Sequence, residues 1–196
     1  YYIDPSTPKQ WRPFIIAGVK DWQIAFEKAG FKNAIIAKEP TEADKDFDID
    51  DVRYSVITYV ASPKANAMGP SVIDPSSGEI IESDIIWWHN VMTSLQSWMR
   101  IQTGAIDPKA RANKFSDQHM GEAIRFVSSH EVGHTFGLKH NMGASFAYDV
   151  ESLRSKEFTA KMGGTAPSIM DYARYNYIAQ PEDNVVAITP KIGQYD

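Results

Sequence analysis

The segment His130-Glu131-Val132-Gly133-His134-Thr135-Phe136-Gly137-Leu138-Lys139-His140 constrains this chain more than any other stretch. On a helix, residues four apart share a face, about 6 Å between side-chain origins. His130 and His134 can therefore each offer one imidazole nitrogen to a single zinc ion at about 2.0–2.1 Å. Glu131 lies about 100° round the helix from His130, so it flanks the metal without being forced to bind it. That placement suits a base that takes a proton from water. A helix continued through His140 would carry that residue about 9 Å further along the axis, too far to share the ion. The chain has to turn back, and Gly137 is the residue that can take a positive φ and end the helix there. Three neutral imidazoles leave a fourth position open, as a catalytic zinc site requires and a structural one does not.

Composition narrows the alternatives. The 196 residues contain no Cys, so disulfides and thiolate zinc sites are excluded, and a metal must use His, Asp, Glu or Tyr. The length suits one domain, taken here as residues 1–196 with an upper part to about 137 and a lower part from about 138. No apolar run approaches the ~20 residues that span a membrane; Val56–Ala61 is strand-sized. A net charge of -5 argues against nucleic acid as the main partner. The abrupt start at Tyr1, without Met or signal peptide, and the plain ending Lys191–Asp196 are expected of a piece of a longer protein.

The hydrophobic spacing gives a coarse order of elements. Trp11, Ile15, Val19, Trp22 and Phe26 predict a first helix over about 8–29, capped by Gly30. Asn33–Ala37 reads as a short buried strand, and Val52–Val60 alternates in the strand period. Asp74–Gly78 is a turn, followed by a strand over Glu79–Trp88. Helices are expected over His89–Gln102, stopped by Gly104, and over Asp117–Phe136, capped by Ser116 or Asp117. Ser152–Met162 can form a last one. One helix, a run of strands and then helices is an α+β order with a mostly one-sided sheet.

With Ser168-Ile169-Met170-Asp171-Tyr172 added, 30 residues after His140, the pattern resembles the metzincin clan of zinc peptidases. Tyr1–Ile35 and Ser168–Asp183 resemble, more narrowly, a bacterial group of long, secreted metzincin-like proteins. The resemblance implies a zincin catalytic domain: a twisted, mostly parallel sheet with an antiparallel edge strand, packed on a long active-site helix. A small irregular C-terminal part would carry the Met-turn. It implies Zn2+ on His130, His134 and His140, Glu131 as general base, and Met170 beneath the metal as packing support. Tyr172 stands where some members have a tyrosine that swings onto the zinc or the intermediate. It further implies a peptide or protein substrate, lined by an edge strand from Ile80–Trp88 or Met68–Val72, and secretion or residence in the periplasm. Asn141, after the third His, fits none of the best-known subfamilies, so no substrate preference is carried over.

The reaction expected is zinc-dependent hydrolysis of an internal peptide bond by activated water, with the proton passed through Glu131. Two other readings stand beside it: a latent or inactive binding domain, and a hydrolase of another amide such as a cell-wall crosslink. An intact Glu131 speaks against a dead site. His119 lies about 16 Å along the helix from His130 and cannot reach the same ion. His89 is read as an ordinary, partly buried residue. Asp46–Asp51 lacks the Gly and Glu of a calcium loop and is read as a solvated acidic loop.

Overall fold

Strand β1 (Tyr2–Ile3) leads into helix α1 (Arg12–Lys20), which carries Pro13 in its first turn, where a missing N–H has no helical partner to lose. Helix α2 (Gln23–Lys28) follows, with Gly30 at φ +94° after it. The structure, a computed structural model, describes residues 1–196. Where the spacing predicts one helix over 8–29, the chain breaks at Asp21–Trp22. Both side chains there are engaged with a distant helix: Asp21 accepts from Arg125 at 2.5 and 2.8 Å, and Trp22 Nε1 donates to the Ser129 carbonyl at 2.8 Å.

The expected strand at Asn33–Ala37 does not form. Ile35 and Ala37 are buried, but the segment reaches only a single bridge, Tyr2 to Lys38. Strand β2 covers Val56–Val60, shorter than expected, because a turn that closes Tyr54 N–H onto the Asp51 carbonyl occupies the residues before it. Short strands β3 (Ala67–Met68), β4 (Ser71–Ile73), β5 (Ile80–Ser83) and β6 (Ile85–Trp88) follow. The run Glu79–Trp88 is thus two strands, split at Asp84, whose carboxylate accepts the Val56 N–H at 2.7 Å. Strands β4 and β5 form a separate hairpin around the Asp74–Gly78 turn. The main sheet runs β1-β2-β6-β3, with the first three parallel and β3 antiparallel at the edge. Successive side chains of a strand point to opposite faces, so buried Val56 and Ile57 show that β2 is covered on both.

Helix α3 (Val91–Thr103) ends at Gly104 as expected. Helix α4 (Asp117–Thr135) starts where Ser116 Oγ accepts the His119 N–H, a cap worth about 1 kcal/mol. The single helix expected over 152–162 is instead α5 (Val150–Arg154) and α6 (Lys156–Met162), divided at Ser155, whose Oγ caps the second. One buried cluster joins Ile3, Ile57, Ile85 and Trp87 of the sheet to Ile15, Val19, Leu95, Ile124 and Val132 of the helices, and on to Met170 and Tyr175. Helix α4 therefore lies inside the molecule, buried at nearly every position from Ala123 to Gly133.

Candidate metal centre

Helix α4 brings His130 and His134 to one face, and its ending brings His140 back to them. Gly137 has φ +85°, its N–H donates to the His134 carbonyl at 2.9 Å, and the Leu138 N–H donates to the Gly133 carbonyl at 3.2 Å. This pair of bonds is the reversal that a left-handed residue after a helix makes possible. The next residues are tied down by the Asn141 N–H, which donates to the Met170 carbonyl at 3.0 Å. As a result the Nε2 atom of His140 lies 3.2 Å from that of His130 and 3.1 Å from that of His134.

The opposite nitrogens explain why two of the three aim inward. His130 Nδ1 donates to the Ile169 carbonyl and His134 Nδ1 to the Leu138 carbonyl, both at 2.8 Å. A proton held on Nδ1 leaves the Nε2 lone pair facing the centre. Burial lowers the His130 pKa to about 4, and it lowers that of His140 as well, so both are neutral donors. Lone pairs facing one another at this range repel unless a cation or a shared proton lies among them. A tetrahedral ion with bonds of about 2.0–2.1 Å sets its nitrogens about 3.3–3.4 Å apart, so the donor set fits zinc. It is the one group of three or more His, Cys, Asp or Glu side chains with converging donor atoms.

Glu131 stays outside that donor set. Its side chain is buried, and burial raises its pKa to about 7, with the backbone N–H of Gly69 pulling the other way. Tyr172 completes the rim, its ring centroid 4.4 Å from that of His140 and 5.5 Å from that of His130. Burial and the charge of Glu131 raise its pKa, which keeps the phenol protonated. A cleft of about 520 Å³ opens over these groups between Leu138–His140 and Met68–Ser71. The edge strand there is β3, on the Met68–Val72 side of the two expected candidates. Ile80–Trp88 supplies an inner strand and half of a hairpin instead.

The floor is Met170, buried against α4 where that helix has no side chain. A Cβ on Gly133 would overlap the Met170 sulfur and come within 2.9 Å of the Trp22 ring. Gly133→Ala should therefore destabilise the fold by about 1–3 kcal/mol from overpacking, against a helix-propensity gain of up to about 1 kcal/mol. A urea unfolding midpoint equal to or above that of wild type would contradict this packing. The turn bearing Met170 is braced from the end of the chain. The Asp196 carboxylate accepts Ser168 Oγ at 2.6 Å and the Ile169 N–H at 2.8 Å.

The remaining residues singled out in the sequence lie elsewhere. His119 sits 3.6 Å from Asp107, and His89 bonds the Tyr59 hydroxyl. In the acidic loop Asp51 pairs with Arg53 at 2.6 Å. Sequence reasoning missed the Ile169 and Leu138 carbonyls, Gly69, Asp196 and Arg174. Backbone carbonyls leave no residue-type signal, although the Gly137 reversal implies where Leu138 must point.

Residues 112–196, from just before α4 to the last residue, match the model of a protein family described as Met-zincin. No curated protein and no solved structure matches the chain.

Proposed function

We propose that this chain is a zinc metallopeptidase of the metzincin type, a reading supported by the match of residues 112–196 to the Met-zincin family and by three converging imidazoles, and that it is an endopeptidase in which Glu131 is the general base and Tyr172 a donor to the oxyanion. The observation that carries the proposal is the position of the Glu131 carboxylate. It is buried beside three converging imidazoles, outside the ligand set, and it lines the open cleft under an edge strand.

An extended peptide pairs with the edge strand β3 and crosses the cleft above the histidines. Zinc, when bound, supplies a Lewis acid that polarises the scissile carbonyl and lowers the pKa of water towards about 7. Glu131 takes the proton of the attacking water on a carboxylate oxygen and delivers it to the leaving nitrogen. A pKa of about 7 suits both halves of that exchange. The protonated Tyr172 hydroxyl donates to the oxygen on which charge develops. His130, His134 and His140 hold the metal, and the two backbone carbonyls keep His130 and His134 from rotating out of the set.

The test is cleavage of a peptide library, with zinc content measured on the same preparation. One zinc per chain with internal cleavage sites supports the proposal; one zinc with no cleavage of any peptide removes it. Tyr172→Phe is expected to lower kcat by about 10²-fold, the loss of one oxyanion donor, with little change in KM. An unchanged kcat would reduce Tyr172 to packing.

A further inference from the structure

A second recess, of about 90 Å³, lies beside the histidines under Asn66 and Ala67, walled by Val91, Trp98, Phe126 and Val127. Beside Asn66, its polar lining is Arg174 together with His130, Glu131 and Tyr172. Every other arginine of the chain has a fixed acceptor. Arg12, Arg53, Arg125 and Arg154 pair with carboxylates, and Arg100 and Arg111 donate to backbone carbonyls. The Arg174 guanidinium has neither. It lies 3.6 Å over the Trp98 ring and 4.8 Å from the centroid of Tyr172, and burial pulls its pKa down more than the Tyr172 and Tyr175 phenols raise it.

The backbone is bent to put it there. Arg174 has φ +61°, a left-handed conformation unfavourable for a side chain of this kind. Thr165 Oγ1 holds its carbonyl at 2.8 Å, and the next N–H, of Tyr175, donates to Gln102 at 3.2 Å. The guanidinium is thus stacked and preorganised, and its donors are left to something outside the chain.

The direction of β3 says which part of a substrate meets it. Asn66 and Ala67 wall both the recess and the large cleft, while the strand's continuation, Gly69–Ser71, walls the cleft alone, so the recess lies at the start of β3. Strand β3 already pairs antiparallel with β6, and a peptide added to its free edge in the same sense runs opposite to β3, so the residue after the scissile bond comes to the recess end. We propose that Arg174 binds the side-chain carboxylate of that residue and makes the enzyme select Asp or Glu there. This rests on the peptidase reading and adds the substrate class.

The test uses zinc-loaded protein and two C-terminally amidated peptide hydroxamates. They differ only in the side chain next to the zinc-binding group: carboxymethyl in one, the isosteric carboxamide in the other. Wild type should bind the carboxylate about tenfold more tightly or better by calorimetry, the strength of one charge-assisted pair. Arg174→Gln should level the two affinities, and Arg174→Glu should reverse their order. Equal affinities in wild type, or an unchanged preference in both variants, overturn the inference while leaving the metal centre standing. A preference seen only with non-amidated ligands overturns it too, since a terminal carboxylate would then be the group recognised. Protein that takes up no zinc, and binds neither hydroxamate, sinks the metallopeptidase reading and this inference with it.

Discussion

Glu131→Gln is expected to keep one zinc per chain and to lose about 10²–10⁴-fold in kcat, the range contributed by a positioned base. The amide has the shape of the acid, so the packing around a side chain that is 8% exposed survives the exchange. Metal binding survives because the three imidazoles form the donor set without it. What is lost is the site that accepts the water proton and returns it to the amine. The readings are elemental analysis and steady-state kinetics with a fluorogenic peptide. Wild-type turnover would sink the base assignment, and loss of zinc together with activity would make Glu131 a metal-holding residue.

Removing His140 should have the larger effect on the protein itself. A ligand that binds only the folded state stabilises by about 4 kcal/mol at a free concentration 1,000 times Kd. For a chain of this size that corresponds to about 8–16 °C in Tm. Chelation should withdraw this increment from wild type. In His140→Ala, with two imidazoles left, the melting curves with and without chelator should nearly coincide. Zinc content equal to wild type in the variant would take His140 out of the ligand set.

The metal centre was legible in the sequence because it is built locally. A capped helix places His130 and His134, and Gly137 is the one glycine between His134 and His140, where the reversal must occur. Met170 was legible through the resemblance, and the reason for its position, the missing side chain of Gly133, lies in the same motif. The breaks in regular structure were not legible, because their causes are distant. The expected first helix ends early where Asp21 meets Arg125, 104 residues away. The strand over Glu79–Trp88 divides where Asp84 reaches Val56, and Asn33–Ala37 is buried at alternate positions without completing a ladder. Hydrophobic periodicity records which side of a segment is inward, and says nothing of which neighbour will occupy its polar groups. Arg174 was invisible for the same reason, since its meaning is that no carboxylate of the fold pairs with it.

The ligands and the carbonyl that steadies the first of them belong to different stages of chain growth. His130, His134 and His140 fall within eleven consecutive residues, so gathering them in an unfolded chain closes only a short loop. The Ile169 carbonyl that fixes His130 comes 39 residues after it, and Asp196, which braces that turn, follows 27 residues after Ile169. A ribosome therefore releases a stretch competent to catch zinc well before it releases what locks the zinc in. Zinc caught by the short stretch alone is expected to exchange faster than zinc held after the Ile169 carbonyl has docked on His130. Zinc held by the unfolded chain also subtracts from the net stabilisation that the folded state receives, which makes the melting shift above an upper value.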